Sequence, residues 1–334
     1  MSYDLFGLGN ALMDVQVFID EKFLNDHNIE KGIMTLVDED MSRKLISSIA
    51  GLQSTSVPGG SCGNTMSTVA MLGGKSVFTY AVADDLYGRL YEKQLSERGV
   101  KSIVSLKHKG LTGSSIILTT KDADRTMLTH LGVCREFTKN DIDMEVFSES
   151  KVFHTTGYEL DTPLQKEALN EAMLHAKKRG IKVSFDIADP FCVERNATEI
   201  KDLITNNIDI IFGNQDEAKI LTGKADPIEA GKVLIEMGAE IALVKVGKDG
   251  SYIFTKDNYA KIPVYKAREV LDSTGCGDIY AGGFLYGYTK GIDPVKSAHI
   301  ASYLASEIIS VAGVQLEKLD FDQINKKVNE LQNA

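Results

Sequence analysis

Cysteine is scarce in this chain. Cys62, Cys134, Cys192 and Cys276 lie far apart among 334 positions with no C-x-x-C spacing. That argues against a zinc site or a disulfide framework and points to a reducing, cytoplasmic location. Histidine is sparse too: the six show no i, i+4 pair and no HExxH, and read as surface or satisfied core residues. No stretch approaches the roughly 18 apolar residues of a membrane span. The opening MSYDLFGLGN lacks the basic start and apolar run of a secretory signal. Positive charge is in deficit, 37 basic against 47 acidic residues for a net −10. The clusters HAKKRG (175–180) and NKK (325–327) sit in helical patterns as solvated faces, so neither a nucleic-acid nor a membrane partner is expected. An acidic chain that binds an anion must receive it on backbone N–H groups and a metal.

What is present is a rhythm. YDLFGLG (3–9), SVFTYAVA (76–83), KVFHTTG (151–157), KVSFDI (182–187), DIIFGN (209–214) and IALVKVG (241–247) read as strands buried on both faces. Amphipathic stretches such as 162–180 and 226–238 lie between them and end in glycine, as a helix C-cap should. Strand alternating with helix predicts an α/β chain, a three-layer α/β/α sandwich around a mainly parallel sheet. Two regions break the rhythm. Residues 15–37 carry VQVFID and GIMTLVD around a short helical piece, and 112–131 read as two strands about the polar turn KDAD. They suggest a small second sheet, with an ordinary edge hairpin as the alternative. No repeat, linker or composition shift marks a domain boundary.

Two glycine motifs mislead. GLGNAL (7–12) lacks the third glycine and the acidic partner of a dinucleotide fingerprint, and GGKS (73–76) precedes a strand where a Walker loop precedes a helix. DSTGCGDIY (272–280) is different. An apolar, small-residue helix beginning near Asp278 would place Gly275, Cys276 and Gly277 at its positive N-terminus, where free N–H groups bind phosphate oxygens. Capping explains one aspartate there, but neither Asp272 nor the paired glycines inside the helix. Four weaker patterns accompany it. Asn10 and Asp14 follow the first strand. VPGGSCGN (57–64) enters a helix with Ser61 and Asn64 free to bond a polyhydroxy ligand. Asn214-x-x-Glu217 ends a buried strand, where α/β sheets gather ligands, and VKVGKDG (244–250) turns at Gly247 and Gly250. Each of the four is also readable as capping or a hairpin.

Taken in order, GNxxxD, GGSxxN, NxxE, VxxGxxG and DxTGxGD before a glycine-bearing helix resemble the ribokinase (PfkB) family of carbohydrate and nucleoside kinases, across essentially the whole chain. The resemblance implies a ribokinase-like fold with a small β-sheet lid, the large unit at 1–12, 38–104 and 131–334 and the lid at 13–37 and 105–130. It implies ATP, Mg²⁺ and phosphoryl transfer to a hydroxymethyl group of a small sugar or nucleoside, by a monomer or homodimer. Asp278 would be the general base and Gly275, Cys276 and Gly277 the anion hole. Asn214 and Glu217 would position Mg²⁺ and phosphates through water, with Lys245, Gly247, Gly250 and Thr274 beside the nucleotide. Asp272 and Thr274 fall where some members coordinate a monovalent cation, K⁺. Asp14, Gly60 and Asn64 would hold sugar hydroxyls. Cys276 departs from the more usual alanine, which leaves its N–H unaffected.

Ser61, where sugar kinases of the family usually carry lysine, and the segments GNALMDV, FLNDHNIEKGIMTLVDED and TTGYELD resemble adenosine kinases and their bacterial relatives. Asp14 would then grip the ribose 2′- and 3′-hydroxyls, Tyr158 would stack on the base, and the 5′-hydroxyl would face Asp278. The alternatives are a ribokinase- or fructokinase-like sugar kinase and a non-catalytic nucleoside-binding protein; binding alone needs no base. The thiols of Cys62 and Cys276 carry two readings of their own, facing one cleft with Cys276 made acidic by the helix end, or packed and inert.

Overall fold

The computed structural model describes residues 1–122 and 125–333. Its strands are β1 (Tyr3–Leu8), β2 (Leu12–Phe18), β3 (Met34–Leu36), β4 (Ser54–Gly59), β5 (Ser76–Ala83), β6 (Lys101–Lys107), β7 (Gly113–Thr119), β8 (Arg125–His130), β9 (Ser150–Thr156), β10 (Lys182–Asp186), β11 (Ile210–Asn214), β12 (Ile241–Lys245), β13 (Ser251–Thr255) and β14 (Tyr259–Ile262). Nine form one sheet in the order β14-β13-β12-β11-β10-β9-β1-β5-β6. From β12 to β6 every neighbouring pair is parallel; β13 pairs antiparallel with both β12 and β14, so it alone runs against the rest.

The continuous apolar runs explain this layer. Successive side chains of a strand point to opposite faces, and both faces here are covered. Leu5, Phe78 and Tyr80 pack with Met66, Phe284 and Ala301 on one side. Phe6, Val77 and Ala81 pack with Leu169, Ala172 and Val193 on the other. The chain leaves β1 toward β5 and β6 and later returns to β9, on the opposite side of β1, before stepping outward to β12. The strand order therefore reverses at β1/β9. A crevice opens there, beyond the strand C-termini, with the helices of the two halves on opposite faces.

Helix Pro163–Arg179 ends on Gly180 in the left-handed region, as its sequence predicts. The smaller sheet has five strands, β3-β8-β7-β2-β4, with β7 and β8 antiparallel. A second sheet, not a lone edge hairpin, is what the irregular regions build. In the turn KDAD, Ala123 and Asp124 lie outside the described residues. Two strands sit differently from the expected segment boundaries: β4 pairs antiparallel with β2 at the edge of the smaller sheet, and β6 belongs to the larger one. STSVPG carries little apolar periodicity, and Pro58 is tolerated because β4 is an edge. Among the described residues no helix is long and apolar enough to cross a membrane.

Candidate active site

Two helices carry the centre of the crevice on one face of the large sheet. Helix Ser61–Met71 follows β4 and helix Cys276–Thr289 lies against it. The glycines inside the second helix explain the fit. A Cβ at Gly282 would stand 2.6 Å from Thr68 Cβ, and one at Gly283 2.9 Å from Ala301 Cα. They are packing glycines, so they bring the helices together and say nothing about chemistry. Gly275 is the N-cap at φ 69°, with Val314 where a side chain would go. The helix starts two residues before Asp278, with the loop at its positive end; the Cys276 N–H there makes a long 3.2 Å turn bond to Ser273 O.

Close approach of the two helix starts puts Asp278 between them and the strand ends. Ser61 Oγ donates to Asp278 Oδ1 at 2.6 Å and Asn64 Nδ2 to Oδ2 at 2.8 Å. Thr65 Oγ1 donates to the Asp278 carbonyl at 3.1 Å. The sequence points Ser61 and Asn64 at a ligand; in the structure their donors hold the carboxylate. Asn64 Oδ1 remains buried without a partner among the described residues. Burial raises the Asp278 pKa to about 6, while the bonds from Asn64 and Ser61 pull it down. The group is ionised at neutral pH and within reach of accepting a proton.

Asp14 projects from β2 and is 8% exposed. Its carboxylate packs on Gly59, where a Cβ would fall 2.3 Å from Asp14 Cγ, and Gly60 turns the chain at φ 83°. Burial, then the charge of Asp278, raises the Asp14 pKa to about 7, with Arg98 opposing. Tyr158 stands half-buried just past β9, its phenol pushed up by burial and by Asp189, and it feels the charge of Asp278.

The nucleotide-side expectations divide. Asn214 caps helix Gln215–Thr222. Its side chain accepts from Asp216 N and Glu217 N, and Glu217 Oε2 accepts from Asn214 N at 2.7 Å. Glu217 is buried, and burial together with Asp186 raises its pKa to about 7 against the pull of Lys245. A carboxylate with spare lone pairs and too little positive charge fits a hydrated Mg²⁺ held through water. Gly247 and Gly250 shape the β12–β13 hairpin. Lys245 ends β12, and its Nζ lies 3.1 Å from where a Gly277 Cβ would stand. Asp272 and Thr274 do not fit K⁺. Arg125 Nη1 from β8 contacts Asp272 Oδ1 and Thr274 Oγ1, while Thr274 N and Gly313 N each donate to Asp272 at 2.7 Å. A guanidinium already supplies the positive charge there.

The thiols are packed. Burial pushes the Cys276 thiol up to about 11, overriding the helix end, and its Sγ donates to Ala305 O. Cys62 is 1% exposed and its Sγ donates to His154 O. The cleft-facing reading of this pair is therefore corrected.

Sequence reading missed Arg125, Asp186 and Gly59. Arg125 lies on a strand of the second sheet with no motif around it. Asp186 had a signal, since it ends a buried strand just as Asn214 does.

This geometry has close counterparts. The pfkB family carbohydrate kinase profile matches residues 35–320. The chain is 31% identical to an adenosine kinase from Sinorhizobium meliloti, with 98% and 99% of the two chains covered and a TM-score of 0.89. It is 32% identical to a probable sugar kinase from Rhizobium etli, with 98% of each chain covered and a TM-score of 0.88. A 5-dehydro-2-deoxygluconokinase of Geobacillus thermodenitrificans is 26% identical over 291 residues, which span 84% of this chain and 86% of that one. The chain belongs to the PfkB family of carbohydrate and nucleoside kinases, phosphotransferases with an alcohol group as acceptor.

Proposed function

We propose that this kinase transfers the γ-phosphoryl group of ATP to the 5′-hydroxyl of a nucleoside, with adenosine as the acceptor and AMP as the product. One observation carries the reading. Asp14 is a buried carboxylate on β2 that feels the charge of Asp278, and no donor among the described residues hydrogen-bonds to it. Two vicinal hydroxyls are the donors such a group lacks. A ribose held there by its 2′- and 3′-hydroxyls presents its 5′-hydroxyl toward Asp278, and Tyr158 offers a face for the base.

The chemistry follows from the residues. Asp278, kept ionised by Ser61 and Asn64, accepts the 5′-hydroxyl proton as the oxygen attacks the γ-phosphorus. The new O–P bond forms in line as the bond to the bridging oxygen of ADP breaks. The N–H groups at 275–277 receive charge on the transferring oxygens. Glu217, oriented by Asn214, would hold Mg²⁺ through water, and the metal would supply neutralisation of the phosphates.

A sugar acceptor is the second reading, favoured by the relatives named 5-dehydro-2-deoxygluconokinase. An ADP-release assay over adenosine, other nucleosides, ribose, fructose and 5-dehydro-2-deoxygluconate decides. Adenosine should give the highest kcat/KM, and a higher value for any of the three sugars would overturn the nucleoside reading.

A further inference from the structure

We propose that the Lys245 ammonium is the side-chain cation that stabilises the transferring phosphoryl group, and that Asp186 is the positioning residue that holds it against the anion loop. The inference rests on the phosphotransferase activity and on no particular acceptor.

Three strand ends meet here. Asp186 ends β10, Asn214 ends β11 and Lys245 ends β12; Asn214 lies opposite Lys245, and Asp186 lies opposite Phe212, two residues before Asn214. Lys245 Nζ donates to Asp186 Oδ2 at 3.1 Å. That is its one side-chain hydrogen bond among the described residues, and an ammonium has three donors. The same nitrogen stands 3.1 Å from the space above the Gly277 Cα. Any side chain at 277 would crowd it, so glycine there opens the loop to the ammonium as well as to an anion.

Electrostatics makes the placement informative. A helix N-terminus carries positive partial charge and favours anions, so an ammonium set against it is opposed by the helix itself. Burial opposes it too, yet the carboxylates of Asp186 and Glu217 outweigh burial and keep the Lys245 pKa above its ordinary value. Two positive features are thereby aimed at one space, an arrangement that suits an anion lying between them. A buried ion pair as such is a poor source of stability compared with apolar side chains of similar volume.

Asp186 is itself held. It is 5% exposed, and its Oδ1 accepts from Ala188 N at 3.1 Å. Ala188 has φ 89°, a left-handed backbone without glycine to ease it. Strain of that kind persists where surrounding structure demands it and clusters at functional sites. Here it turns an N–H onto one oxygen of Asp186 and leaves the other to Lys245.

The test compares Lys245→Met, Asp186→Asn and the double variant, each with the acceptor that the wild type phosphorylates fastest. Lys245→Met should lower kcat about 10²-fold or more, the loss typical of one preorganised donor to a transition state. Asp186→Asn should lower kcat about tenfold with the ATP KM within about twofold, the split of a positioning residue. The double variant removes both charges, so a merely structural pair predicts recovery. The proposal expects no recovery, with binding of MgADP–aluminium fluoride weakened about 10-fold or more while ADP binding holds. Lys245→Arg should restore part of the activity. Recovery of kcat in the double variant to within about threefold of wild type, or unchanged aluminium fluoride affinity in Lys245→Met, would overturn it. Failure of adenosine as acceptor leaves every one of these ratios measurable.

Discussion

Replacing Ser61 by Ala removes one of two side-chain donors to Asp278 while leaving the helix start and the other donor in place. The bond is short, 2.6 Å, and charge-assisted. Such bonds contribute roughly 1.5–3 kcal/mol in protected surroundings, and about half that is reasonable for a carboxylate that is only half-buried. A loss of about 1.4 kcal/mol corresponds to one pKa unit. The sign is fixed by chemistry: burial raises the Asp278 pKa to about 6 and the Ser61 bond lowers it, so losing the bond raises it further. The base is needed ionised, so activity falls where the group protonates. In kcat/KM against pH the acid limb, expected near pH 6 in the wild type, should move up by about one pH unit in Ser61→Ala. At pH 6 the variant would lose most of its activity, and by pH 8.5 it should approach the wild type. A uniform drop at all pH values, with the limb unmoved, would refute the claim that Ser61 acts through the ionisation of Asp278.

Asp278→Asn keeps the shape and both neighbours but cannot take a proton; kcat should fall about 10²–10⁴-fold with acceptor affinity nearly unchanged, and retention of more than a tenth of wild-type kcat by stopped assay would be inconsistent with it. If Asp14 grips vicinal hydroxyls, 2′-deoxyadenosine should show kcat/KM lower by about 10²-fold or more, and Asp14→Ala should erase the difference. Exchange of K⁺ for tetramethylammonium should leave kcat/KM within about twofold, because Arg125 already occupies Asp272 and Thr274 and a site without a free ligand set gains nothing from the cation. Asp14→Asn should raise the melting temperature of the ligand-free protein at pH 8. The folded pKa is raised to about 7, so the ionised form costs stability increasingly as pH rises from 4 to 7. Removing it gives back up to about 4 kcal/mol, three pKa units at about 1.4 kcal/mol each; equal melting temperatures by differential scanning fluorimetry would contradict this.

The layers were legible because their cause is local and repetitive. SVFTYAVA is buried along its whole length, and no other element type explains such a run between turn signals. The helix start at Gly275–Gly277 was legible for a similar reason, since glycine and aspartate at a helix entry have few physical meanings. The glycines at 282 and 283 invited a functional reading that packing against Thr68 and Ala301 removes; sequence shows small residues but not their neighbours. Strand β4 escaped because STSVPG is polar, short and interrupted by proline, and only its pairing with β2 reveals it. Arg125 and Asp272 are 147 residues apart, and nothing in local spacing links them. Of the two readings open for Cys276, the packed one holds, because burial outweighs the helix dipole and sequence does not show burial.

The carboxylates resolve the oddity of an acidic chain that handles a polyphosphate. Asp14, Asp186, Glu217 and Asp278 gather at the crevice, and burial leads the upward shift of three of them. On the proposed reading, Asp278 faces the acceptor with a place for one proton and Asp14 takes the donors of a diol, while Asp186 with Glu217 sustains the charge of Lys245 against burial. Among the described residues, positive charge near the anion loop is fixed by its neighbours: Lys245 by Asp186, and Arg125 by Asp272 and Thr274, beside the helix N-terminus that Gly275 begins. Negative charge in this site therefore serves to orient cations and take a proton. A net charge of −10 is compatible with anion chemistry because what receives an anion is a few fixed donors and not the charge of the whole surface.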